Sequence, residues 1–125
     1  DADAAAVTAS INGNTRAAFA DARAAAAENP ESIDPLTELS TLYVRVGLRQ
    51  LGRVELVRAI ALQPANPDAW VQLGEYDLFT LHRATVALGE FRHAQVLDPG
   101  VPSITNDIGA AEAALTAAQQ HPRVR

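Results

Sequence analysis

Two segments of this chain superimpose at a fixed offset, and the residues that coincide are those a pair of packed helices needs. A shift of 34 residues carries Leu36 onto Trp70, Leu39 onto Leu73 and Ser40 onto Gly74. One further residue between the helices makes the shift 35, and carries Gly52 onto Ala87, Leu56 onto Phe91, Ala59 onto Ala94, Leu62 onto Leu97 and Pro64 onto Pro99. Small and large apolar residues alternate at the coincident positions. This period is the signature of a stacked helix-turn-helix array, in which each pair buries an apolar face against its neighbours. Arrays of this kind hold other molecules far more often than they catalyse.

Proline and its partners divide the chain into segments. Asn29-Pro30, Gln63-Pro64 and Asp98-Pro99 close apolar-periodic stretches, while Asp34-Pro35 and Asn66-Pro67 open them. The latter two predict helix starts with Asp or Asn as N-cap and proline at the first helical position. The marks delimit seven helices, at about 2–11, 15–28, 34–46, 50–62, 67–81, 84–97 and 103–119, with no sustained strand alternation. The period also reaches the ends of the chain: Gly13 falls under Gly47, Pro30 under Pro64, and Ile108-Gly109 under Leu73-Gly74. The expectation is an all-α single domain, 1–125, built as an α-solenoid of antiparallel helix pairs: a degenerate 1–32, then 33–66 and 67–101, with 102–125 as capping helix and tail. Ala2, Ala5, Ala6 and Ala9 give the first pair a reduced apolar face, as a terminal unit requires.

Composition sets limits on function. Hydrophobic residues are 48% of the chain and aromatics 5%, the balance of helices packed closely through alanine. No cysteine is present, which excludes disulfides and thiolate metal sites. The net charge is -5 and all ten basic residues are arginine, a poor match to the clustered basic face that nucleic acid demands. No apolar run approaches the roughly 20 residues of a membrane span, so direct membrane insertion of this segment is not expected. The chain begins with Asp1 and contains no methionine, as an excised piece of a longer protein does; abundant Ala and Arg without Lys points to a GC-rich bacterial genome.

Trp70, Leu73, Gly74, Ala87, Phe91, Ala94 and Pro99 resemble the tetratricopeptide repeat pattern, W-x-x-L-G-x-x-Y, A-x-x-x-F-x-x-A and P. Leu36, Leu39, Tyr43, Gly47, Ala59 and Pro64 carry it in the preceding repeat. The second repeat departs at the tyrosine position, occupied by Asp77 with Tyr76 beside it, and in its extra inter-helix residue. A looser resemblance joins the run from Ala24 to Leu36, with Leu62 to Pro67, to the C-terminal tails of bacterial O-antigen ligase or polymerase-like membrane proteins. That resemblance implies a soluble accessory domain of a membrane glycosyltransferase, whose catalytic residues have no counterpart here. The location it implies is bacterial, either cytoplasmic or tethered to the membrane through a preceding part.

The tetratricopeptide resemblance implies a protein-interaction module that grips a partner segment in a concave groove lined by the first helix of each pair. By register that groove offers Thr37, Glu38 and Thr41 from one repeat and Val71, Gln72 and Glu75 from the next. Lysine, arginine and asparagine are missing from these six positions, which speaks against a carboxylate clamp; a neutral or basic protein or peptide segment is the expected partner. Self-association through the incomplete ends is a further expectation.

Other clusters carry less. Arg45, Arg49, Arg53 and Arg58 form the densest basic stretch, read as solvated charge or pairs with Glu55. Glu90 and His93 have the Glu-x-x-His spacing of di-iron bundles, but no second copy exists, and His82 and His121 fall in a turn and the tail. Gly47 to Gly52 reproduces phosphate-loop spacing without the lysine and hydroxyl that must follow. Ser10, Ser32, Ser40 and Ser103 lack a nucleophile elbow and a neighbouring histidine. No catalytic, cofactor or metal residue is expected, and the chain is read as having no enzymatic activity.

Overall fold

A computed structural model describes residues 13–120. Six α-helices follow one another: α1 (Gly13–Glu28), α2 (Asp34–Arg45), α3 (Arg49–Leu62), α4 (Pro67–Glu75), α5 (Ala84–Leu97) and α6 (Pro102–Gln120), with a π-helical turn at Tyr76–Thr80. No strand occurs among the described residues. The expected helix at 2–11 lies outside them.

Capping follows the local sequence. At the start of α4 the Asn66 side chain accepts the Asp68 N–H at 2.9 Å, with Pro67 in the first turn. Asp34 does not play this part for α2. It is already helical, and the Ser32 hydroxyl accepts its N–H at 3.3 Å, because the chain turns into the helix one residue earlier. Past the end of α2, Gly47 adopts φ +82°, Leu48 N–H donates to the Tyr43 carbonyl at 2.8 Å, and Gly47 N–H donates to Val44 at 3.0 Å. This pairing satisfies carbonyls that the helix itself cannot reach.

The helix expected over 67–81 is α-helical only to Glu75. In the π-helical turn, Leu81 N–H donates to Tyr76 at 3.1 Å and Arg83 N–H to Asp77 at 2.7 Å. The Asp77–Arg83 bond is the counterpart of Tyr43–Leu48 with one more residue enclosed. The extra inter-helix residue is therefore absorbed by widening one helical turn, the usual form of a single insertion in a helix. His82 then takes the left-handed position that Gly47 holds in the earlier repeat, at φ +57°.

The chain forms two compact units, 1–63 and 64–125. In the first, α1 packs on α2 and α2 on α3. Its core is Phe19, Ala22, Leu39 and Leu42, with Tyr43 meeting Phe19 edge to face at 5.1 Å between ring centres. In the second, α4 packs on α5 and α5 on α6 around Leu78, Ala87, Phe91 and Ala111. Small residues stand where helices meet most tightly: Ala87 and Ala94 are fully buried, and a Cβ on Gly74 would lie 2.5 Å from the Phe91 ring. Trp70 is half-buried, its indole N–H donating to the Pro64 carbonyl at 2.9 Å.

Candidate functional site

The two triplets of the expected groove occupy equivalent turns of the first helices. Thr37, Glu38 and Thr41 share α2 in the N-terminal unit, and Val71, Gln72 and Glu75 share α4 in the C-terminal unit. In each helix the opposite side is committed to the core, through Leu39, Ser40 and Leu42 in α2 and Ala69, Leu73 and Gly74 in α4. A 3.6-residue period then leaves these triplets on the other face.

Hydrogen bonding defines what the strip can offer. The Thr41 hydroxyl donates to the Thr37 carbonyl at 3.2 Å, and the Thr37 hydroxyl leans on the Ile33 carbonyl at 3.4 Å. Both hydroxyl protons are thereby directed into the helix. Glu38 is exposed, while Val71 and Gln72 are half-buried. The triplet on α2 thus offers acceptors, and the triplet on α4 adds an apolar spot at Val71.

The sequence reading missed one neighbour of the second triplet. Asp107 on α6 hydrogen-bonds the Glu75 carboxyl. Burial, this hydrogen bond and repulsion from the Asp107 charge together push the Glu75 carboxyl up to about 7. The signal was present in the period: Asp107 stands 35 residues after Gln72, which stands 34 after Glu38. Asp107 on the closing helix therefore holds the position in sequence that corresponds to Gln72 and Glu38.

The remaining candidates have structural occupations. Arg58 donates to both Glu55 carboxylate oxygens, at 3.1 and 3.4 Å. His93 packs on Trp70 with ring centres 3.9 Å apart. Among the described residues no three His, Asp or Glu side chains converge as metal ligands. Nor is any described helix long and apolar enough to cross a membrane.

No family model matches the sequence, and no curated protein does. Among solved structures, the first tetratricopeptide domain of Spaghetti (RPAP3), bound to the HSP90 peptide SRMEEVD, is similar. It matches with a TM-score of 0.66 at 19% identity, over 83% of this chain and 82% of that one. The fold is that of a tetratricopeptide-repeat domain. At this identity the likeness carries the path of the helices and nothing of the side chains. The tetratricopeptide fold explains why the coincident residues are Leu39 with Leu73 and Ala59 with Ala94: they hold equivalent helices together.

Proposed function

We propose that this tetratricopeptide domain is a protein-interaction module, without catalysis of its own, that binds a neutral or basic partner segment along the first-helix strip. The observation that carries the reading is the recurrence of acceptor groups in one register on three helices: Glu38 and Thr41, then Gln72 and Glu75, then Asp107. The solved structure that shares the fold holds a peptide rich in carboxylates. The strip described here has the opposite chemistry, because Glu38, Glu75 and Asp107 repel such a sequence and attract lysine or arginine. Near neutrality Glu75 is partly protonated, and a partner's cation displaces that proton.

The test is fluorescence anisotropy of a labelled lysine-containing peptide against the full chain. Glu38→Arg and Glu75→Arg should each weaken its binding by about tenfold, equivalent to about 1.4 kcal/mol. Binding unchanged by both substitutions, or none at all, overturns the assignment. The O-antigen polymerase-like reading gains no support from the shared fold. Its join from Ala24 to Leu36 forms the end of α1, the turn and the start of α2, where Ser32 caps and Pro35 is buried.

A further inference from the structure

The N-terminal unit has a second surface, formed by α1, α3 and the face of α2 that Leu36, Leu39 and Tyr43 occupy. Ala26 of α1 faces α3 across a gap above α2. The result is a hollow of about 390 Å³ floored by Leu36, Leu39 and Leu51, with Ala26 on one wall. Arg23 of α1 and Arg58 of α3 stand at its rim. A second hollow of about 390 Å³ lies alongside on α3, lined by Val54, Val57 and Ala61. Val54 and Arg58 border both.

Three features converge on one kind of occupant. Val54, which borders both hollows, and Val57, which lines the second, are 45% and 42% exposed, so apolar surface lies open there. The lining of the two hollows holds Arg23, Arg53 and Arg58 against the single acid Glu55, in a chain whose net charge is -5. Glu55 is buried and already held by Arg58, whose side chain is nevertheless 67% exposed and engages it through Nη1 alone. The formal charge of this lining is therefore positive. Arg23 contributes to it with its guanidinium positioned 5.3 Å from the Phe19 ring centre.

We propose that these paired hollows dock an acidic amphipathic segment of a partner protein, with two apolar side chains seated on either side of Val54 and their flanking carboxylates on Arg23 and Arg58. Apolar burial supplies the contact and the arginine rim selects charge and orientation. Binding at this surface does not depend on the first-helix strip.

The probe is a fluorescein-labelled synthetic peptide with leucines one helical turn apart and glutamates between them, compared with the same peptide carrying lysine for each glutamate. The full chain should bind the glutamate peptide about tenfold more tightly or better, with salt weakening the complex. Val54→Asp and Arg23→Glu should each weaken it about tenfold, whereas Thr41→Arg on the strip leaves it unchanged. Circular dichroism checks that each variant folds, and Arg23→Glu, an exposed change, carries the test should Val54→Asp fail to do so. The inference is overturned if the two peptides bind equally or not at all. It is also overturned if Thr41→Arg alone alters binding, which assigns the peptide to the strip. Sedimentation showing a dimer that Val54→Asp dissolves would assign the surface to a second copy instead and overturn it likewise.

Discussion

Gly74 shows how one atom fixes the distance between two helices. Its hypothetical Cβ would stand 2.5 and 2.7 Å from two carbons of the Phe91 ring, closer than atoms of that kind approach. Gly74→Ala gains about 1 kcal/mol of helix propensity. It must then displace a fully buried ring, a rearrangement costing about 1–3 kcal/mol. The expected result is a lower melting temperature, and an unchanged or higher one would show that the ring moves freely. One position further along, Glu75 tests electrostatics. Its folded pKa, about 7, exceeds the ordinary 4.5, so its proton favours the fold. That contribution is complete below the unfolded value and lost as pH rises through about 7. Melts of the native chain and Glu75→Gln at about pH 5 and about pH 8 should differ in slope, with the glutamine variant losing less on the way up. Parallel slopes would remove the Asp107 contact from the account.

The elements were legible where a repeating pattern met a local stop signal. Proline marked the ends of α3 and α5 and the start of α4 to within a residue, because its backbone limits act locally. The π-helical turn was visible only as a numerical irregularity: an offset of 35 where 34 was expected, and a tyrosine out of place. Sequence alone could not say whether the extra residue widened a turn or lengthened a loop, since packing of Tyr76, Asp77 and Leu78 into the core decides it. Asp107 was missed for a similar reason, its partner Glu75 being remote in sequence. The insertion has a measurable cost at His82, which holds φ +57° where the earlier repeat has glycine. A left-handed L-residue is disfavoured by roughly 1–2 kcal/mol, offset in part by the unfolded-state entropy of glycine. His82→Gly should therefore stabilise the chain by about 0.5–1 kcal/mol, read from urea unfolding at constant m. Destabilisation would mean that the imidazole makes a contact worth more than the strain.

At the scale of the molecule, the two cores have no residue in common. Phe19, Ala22, Leu39 and Leu42 form one, and Leu78, Ala87, Phe91 and Ala111 the other. In repeat folds stability is approximately a sum of unit stabilities and nearest-neighbour interfaces, so damage in one core spreads only as far as an interface transmits it. Phe91 is the place to inflict that damage. It is completely buried, whereas Trp70, the larger ring and the more conspicuous residue in the sequence, is half-buried on the rim of the same unit. Phe91→Ala should cost about 3–5 kcal/mol, the loss for a buried aromatic whose cavity cannot fully collapse. Hydrogen exchange then distinguishes local from global failure. If the units are energetically separate, amide protection falls across α4, α5 and α6 while α1, α2 and α3 keep theirs. Equal loss in all six helices would show one cooperative structure, in which the strip on α2 and the strip on α4 stand or fall together.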